Sequence, residues 1–377
     1  MKLSTVIVFA LTLAASSFAL TAEELLVEPP AILPGSQPAT TKQLDMTGQP
    51  ESEIVIKFSH VVAPETPKGQ AAERFKQLAE QYTNGRVRVE IYPNSQLFKD
   101  SEEIDALQRG KVQMLAPSLS KFGQIGVRQF ELFDLPYIFP NREVLHRVMD
   151  ADIGKGLFKK LSAKGFTGLA YWDNGFKQMS SNKPMHKVAD LKGLKIRIQP
   201  SNVLEAQIKA LGANPQAMDF SAVYPALQQG IVDGAENPVS NFYTQKMHEV
   251  QKHLTISNHG YLGYAVIVNK KFWEDLPPDI RDALTRAMKE ATLFERDIAQ
   301  RENDDALAKV IAANTTVVYS LSPGERTAWH SALLPVYQEF DNVIGSYLIR
   351  SVAHIAQEVQ KEQNETKPKG KKAPTKK

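Results

Sequence analysis

The chain has no cysteine. Disulfides, a thiolate nucleophile, a cysteine-bound metal and a lipid anchor on an N-terminal cysteine are all excluded. Beyond the first 22 residues no apolar run approaches bilayer-spanning length. There is no HExxH pair, and His248 and His253 do not have zinc-site spacing. There is no GxSxG elbow, no Walker loop and no dinucleotide fingerprint. No cofactor or metal is expected, and nothing marks an enzyme. Charge of one sign is scarce as well. The net charge is +3, but Lys361–Lys377 alone holds seven lysines and two glutamates, so the remainder is near −2. A basic face for nucleic acid is absent.

What is present suits a soluble globular protein: 377 residues, 42% hydrophobic and 23% charged, enough for two lobes with cores. Residues 1–22 read as a secretory signal. Lys2 supplies the charge, Val6 to Ala15 the apolar core, and Ser17-Phe18-Ala19 the cleavage site, with Ala22 as the alternative. Residues 23–51, rich in Pro, Thr, Gln and Ala, read as a disordered leader, and 359–377 as a lysine-rich tail.

Between them strands and helices alternate. EIVIKFSH is a strand, Lys68–Tyr82 a helix and RVRVEIYP a second strand, a βαβ unit with a parallel pair. Asp100 and Glu103 have capping-box spacing. FELFDLPYIF (130–139) reads as a core loop. FTGLAYWDNGFKQMSSN (166–182) reads as two strands crossing between lobes at Asn174-Gly175, and HLTISNHGYLGYAVIVNK as a strand pair. Asp279–Asn314 has no Gly or Pro. As one helix it would be roughly 54 Å long, so the polar run Gln300–Asp305 predicts a bend. A further bend is expected at Gly345. No internal repeat is evident.

The stretch 194–243 holds the chemistry. Leu194, Ile196 and Ile198 alternate with Lys195, Arg197 and Gln199. Pro200 ends that strand, and Ser201 caps a helix closed by Gly212. A second helix ends at Gly230, before the turn Asp233–Pro238. Arg197 and Asn237 thus sit at strand ends that can converge on a crevice, and a guanidinium fork suits a carboxylate. The plainer readings are a surface ion pair for Arg197 and a self-bonded turn for Asn237.

LKGLKIRIQ (191–199), LGANPQAMDFSAVYPALQQGIVDGAENP (211–238) and FWEDLP (272–277) resemble the DctP-type solute-binding subunit of tripartite ATP-independent periplasmic (TRAP) transporters, over roughly 53–348. The resemblance implies an α/β two-lobed periplasmic-binding-protein fold, with mixed sheets and a long helix spanning both lobes. It implies lobe one at 52–174 plus 263–302 and lobe two at 175–262 plus 303–358. Arg197 is implied to form the salt bridge to the ligand carboxylate, with Asn237 hydrogen-bonding the same group. Lys177 stands where relatives that bind sialic acid carry arginine, and could hold a second carboxylate. Pro117 stands where they carry glutamate, which counts against a sugar acid.

Ser118 and Lys121 are further anion donors, or simply turn residues. His60 and Lys68 flank a strand-to-helix connection that would favour an anion. Trp172 and Phe220 are candidate cleft walls, and Asn241 a further contact. The expected function is a monomeric periplasmic receptor for a C4-dicarboxylate such as malate, succinate or fumarate, handed to TRAP membrane subunits. The alternatives are another carboxylate (a 2-oxo acid or sugar acid), a receptor feeding a sensor kinase, or a periplasmic enzyme acting on a small acid.

Overall fold

A computed structural model describes residues 53–366. The expected signal, the leader and residues 367–377 lie outside them. The first unit is β1 (Ile54–Ser59), α1 (Pro67–Tyr82), β2 (Val87–Tyr92), α2 (Glu103–Gln108) and β3 (Met114–Leu115). The 3-10 helices Leu119–Gly123 and Arg128–Asp134, then α3 (Arg142–Asp150) and α4 (Asp152–Ser162), lead to the long strand β4 (Phe166–Ser181). The second unit is β5 (Lys195–Ile198), α5 (Asn202–Ala210), β6 (Asn214–Ala217), α6 (Val223–Gln228) and β7 (Gly234–Asn237). There follow α7 (Val239–Thr244), α8 (Met247–Val250), β8 (His253–Asn269), α9 (Lys270–Asp275), α10 (Pro278–Ala313), β9 (Val317–Ser320), α11 (Pro323–Ile344) and α12 (Ser346–Thr366).

The strands form one mixed sheet in the order β2-β1-β3-β8-β4-β7-β5-β6, with β9 beside β8. Its two ends mirror each other. β1 lies parallel between β2 and β3, as β5 lies parallel between β6 and β7. Each end is one lobe, and antiparallel β4 and β8 run through both.

The mirror is an internal repeat with a shift of 120 residues. Leu107-Gln108, Gly110, Val112, Ser120 and Phe122 recur as Leu227-Gln228, Gly230, Val232, Ser240 and Phe242. Burial agrees position by position between 101–122 and 221–242. Gly110 and Gly230 even share a left-handed φ, 70° and 69°, where a side chain would be strained. These identities are too sparse to stand out in the sequence. What the two copies share is backbone shape and burial.

Two expected strand pairs are single strands. β4 and β8 stay paired from end to end because register shifts, one of them between Asp173 and Gly175, bend the ladder without ending it. Gly175 takes φ 151°, and a Cβ there would lie 3.0 Å from the Asn303 amide. α10 runs unbroken through the stretch where a bend is expected. The polar run Gln300–Asp305 is exposed or half-buried, so it asks nothing of the helix axis. The Asn303 amide instead bridges the lobes' crossing, donating to Asn174 O at 2.6 Å and accepting from Ser240 N at 3.0 Å. The bend at Gly345 is present, between α11 and α12, with φ 105°. The helix α12 carries on to Thr366 and buries Val359, so the tail begins later than residue 359.

Three cores hold this frame. One packs α1 and the first half of α10 (Ile280, Leu284, Met288) on β1, β2 and β3. A second packs α6, α7 and the second half of α10 (Ala306, Val310) in the other lobe. The third lies under both lobes and joins Phe122, Phe130 and Phe133 to Ile196, Ile198 and Trp329. The 3-10 helix Arg128–Asp134 buries Phe130, Leu132 and Phe133, in keeping with the core loop expected there. Because α10 contributes to two cores, it ties the lobes together. Among the described residues no helix is long and apolar enough to cross a membrane.

Candidate functional site

Both lobes point strand ends at the same gap. β5 places Arg197 between Ile196 and Ile198, which are fully buried in the core, so the guanidinium faces the other way. Covering loops bury it too, and only 2% of it is exposed. Its Nε and Nη2 donate to Met218 O at 3.2 and 2.8 Å, and Nη1 donates to nothing among the described residues. The Phe220 ring lies 5.7 Å from its Cζ. Burial lowers its pKa, opposed by Asp100, Glu236 and Asp219 at longer range. No carboxylate among the described residues lies within ion-pair distance. Asn237 ends β7, and its amide meets only the Met247 thioether, at 3.7 Å.

From the other lobe comes Lys68, in the first turn of α1 behind the Thr66 cap. It is 1% exposed. Its Nζ donates to Ala116 O at 3.0 Å and sits 3.7 Å from the Tyr264 ring centroid. It too has no ion-pair partner among the described residues. Burial dominates its pKa and brings it down to about 7, with Glu103 and Asp100 pulling the other way and Lys121 adding to the fall. His60 follows β1, fully buried, with neither ring nitrogen hydrogen-bonded among the described residues.

Tyr264 and Asn241 join this wall. Asn174 Nδ2 donates to Tyr264 OH at 2.6 Å and to Asn241 Oδ1 at 2.8 Å, while Ser240 Oγ donates to Asn174 Oδ1 at 2.7 Å. Ser118 bridges to Tyr264 through backbone and caps the turn that follows, accepting from Ser120 N at 3.4 Å.

The other two lysines differ. Lys177 Nζ donates to Glu236 Oε1 at 2.6 Å across the β4–β7 ladder, and His259 bonds the second oxygen at 3.0 Å. Burial would raise the Glu236 pKa, but Lys177 and His259 outweigh it and hold it down to about 2. Lys121 is held by both Asp100 and Glu103. The expected capping box therefore does not form: α2 has no side-chain cap, and its two acids turn to Lys121. Neither lysine has charge to spare for a ligand. Trp172 is a core residue, fully buried against Phe58 and bonded through Nε1 to Thr292 Oγ1 at 3.0 Å.

The gap is shut. Asp100 Oδ2 accepts from Phe220 N at 2.7 Å, and in the opposite direction Asp219 accepts from Ser101 N at 3.0 Å and Ser101 Oγ at 2.9 Å. Cavities open elsewhere, among them one of about 720 Å³ between α1 and α10 and one of about 330 Å³ beside Tyr243 and His248, and neither of these includes Arg197 or Lys68. Sequence reasoning missed Tyr264, Asp100, Asp219 and Glu236. An acid has no local pattern that announces a partner some 60 or 120 residues away.

Comparison with known proteins shows the family. The model of bacterial extracellular solute-binding protein, family 7, matches residues 58–342. The C4-dicarboxylate-binding periplasmic protein DctP of Rhodobacter capsulatus is 60% identical over 299 residues, 79% of this chain and 90% of its own. A TRAP periplasmic solute-binding protein of Sulfurospirillum deleyianum, solved with bound succinate, is 48% identical with a TM-score of 0.79, over 81% of this chain and 99% of its own. One from Pseudomonas aeruginosa, solved with bound L-malate, is 43% identical with a TM-score of 0.74, over 76% and 99%. The chain belongs to the bacterial extracellular solute-binding proteins of family 7.

Proposed function

We propose that this protein is a periplasmic receptor that binds a C4-dicarboxylate between its lobes and delivers it to TRAP membrane subunits. One observation carries the reading. Of the four buried Lys and Arg side chains among the described residues, Lys121 and Lys177 are ion-paired, whereas Arg197 and Lys68 are not. A buried cation without a counter-charge is costly. Two of them, one from each lobe, call for a ligand with an anionic group at each end. The relatives that bind succinate, malate and other C4-dicarboxylates support the same length. Arg197 takes one carboxylate in its fork with help from Asn237, and Lys68 takes the other as a point charge. Water excluded by lobe closure strengthens both contacts.

The hinge in this reading lies at Asn174-Gly175, at Leu262-Gly263 and at Asn303. It separates 52–174 plus 263–302 from 175–262 plus 303–358. The left-handed Gly175 and the Asn303 bridge support that placement. Binding without chemistry is the role in this reading.

Thermal-shift and calorimetric titration of the purified protein test the reading. Succinate, malate and fumarate should stabilise it, and butyrate, with one carboxylate, should not. Equal stabilisation by butyrate would overturn it.

A further inference from the structure

The repeat shows what stands in lobe one where lobe two has Arg197. Arg197 pairs with Ala235 of β7, and Ala235 corresponds to Leu115 of β3. Leu115 pairs with Ser59. Ser59 is therefore the counterpart of Arg197, at the end of β1, and His60 follows it. Both are fully buried. Ser59 Oγ, His60 Nδ1 and His60 Nε2 all lack a hydrogen-bond partner among the described residues. Three unpaired polar atoms on two adjacent residues are unusual, since buried polar groups are nearly always bonded.

We propose that Ser59 and His60 form a subsite for an uncharged oxygen, a hydroxyl or keto group, lying between the two carboxylates of the ligand. The inference rests on the dicarboxylate reading above and narrows it to substituted C4 acids. Arg197 and Lys68 account for the ends of the ligand, and neither addresses its middle. His60 cannot add a third positive charge. Burial first, then the neighbouring Lys68 ammonium, lowers its pKa to about 3, and the Val62 backbone opposes this only in part. The ring is neutral, with one donor and one acceptor nitrogen. Ser59 Oγ adds a hydroxyl that can donate or accept. Such a set matches an alcohol, which both gives and takes a hydrogen bond, and serves a ketone through its donors. An unsubstituted ligand leaves all three atoms unpaired. Sites built to bond a hydroxyl reject the analogue lacking it more strongly than apolar pockets reject an extra group.

Calorimetry with L-malate and succinate tests this, because the two share length and both carboxylates and differ by one hydroxyl. L-malate should bind at least about tenfold more tightly to the unaltered protein. Ser59→Ala and His60→Leu should each pull the malate-to-succinate ratio toward one. His60→Gln, which keeps a donor and an acceptor, should retain most of the preference. A purely structural role would weaken both ligands together and leave the ratio unmoved. Should His60→Leu fail to fold, Ser59→Ala and His60→Gln decide. A ratio near one in the unaltered protein, or one unchanged in the folded variants, overturns the inference and leaves the dicarboxylate reading intact. Failure to bind either acid overturns both.

Discussion

The two lobes share one backbone and differ in chemistry at matching positions. Arg197 of lobe two becomes Ser59 of lobe one, and Asn237 becomes Pro117. Lobe two thus presents a planar fork and an amide at adjacent strand ends. Lobe one places neutral groups there and brings its cation from a helix, as Lys68. The repeat builds a symmetric jaw, and the substitutions give it direction. In the proposed receptor, one end of the ligand would meet a permanently charged group held by Met218 O. The other end would meet an ammonium whose charge depends on pH.

Removing the lobe-two grip should have the largest effect. Arg197→Ala deletes the fork and leaves one ligand carboxylate buried and unpaired. Truncating one partner of such a pair costs about 4 kcal/mol, close to a thousandfold in affinity. The fold should persist, because Arg197 has no ion pair to lose. Calorimetry alongside thermal unfolding checks both halves, and an unchanged dissociation constant would refute the role given to Arg197.

Lys177 sharpens the contrast, since it is also a buried cation at the centre of the sheet. Lys177→Met strands the Glu236 carboxylate with His259 alone, and breaking a buried pair of this kind costs about 3 kcal/mol of stability. Denaturant unfolding should show the loss without ligand present. If unfolding is unaffected while ligand binding vanishes, Lys177 belongs to the grip after all.

The lobe-one grip should respond to pH. Lys68 has its pKa lowered to about 7 in the folded protein against 10.5 in the free side chain. Below pH 7 it is already charged, and an anion binds without proton uptake. Above pH 7 it is increasingly neutral, so binding must take up a proton and affinity falls. Between pH 6 and pH 8 the loss should be about tenfold. Without ligand the same shift has the opposite consequence: the unfolded chain holds more protons between pH 7 and 10.5, so stability gains from this group as pH rises through that window. Titration calorimetry in buffers of different ionisation heat measures the proton uptake directly. Arg197 should contribute none of it, and Lys68→Met should abolish it.

Local features of the chain were legible because they depend on neighbours in sequence. The Ser201 cap and the Gly212 and Gly345 stops follow from residues within a turn or two. The cations were legible by type and spacing. Which of them remain free was not, because Glu236 lies 59 residues from Lys177, and Asp100 and Glu103 turned from helix capping to Lys121. Whether a cation binds a ligand or a neighbour is decided by tertiary contacts, and spacing along the chain carries no trace of them. The repeat escaped notice for a related reason: burial and backbone shape recur where residue identity does not.

The smallest effect should come from the contacts that close the jaw. Asp219 and Asp100 cross the gap in opposite directions, each accepting from a backbone N–H of the other lobe. They are not equivalent. Asp100 also holds Lys121, so replacing it would disturb a buried cation as well as closure. Asp219 touches Ser101 alone in these bonds and is half-buried, which makes it the cleaner probe. Asp219→Ala removes an acceptor from a backbone donor much as loss of a helix cap does, worth about 1 kcal/mol. That energy belongs to the closed state only, so it should appear as ligand escaping about fivefold faster, with the association rate little changed. Stopped-flow dissociation reads this directly. An unchanged off-rate would mean that closure depends on the ligand and the long helix, with the crossing carboxylates contributing nothing.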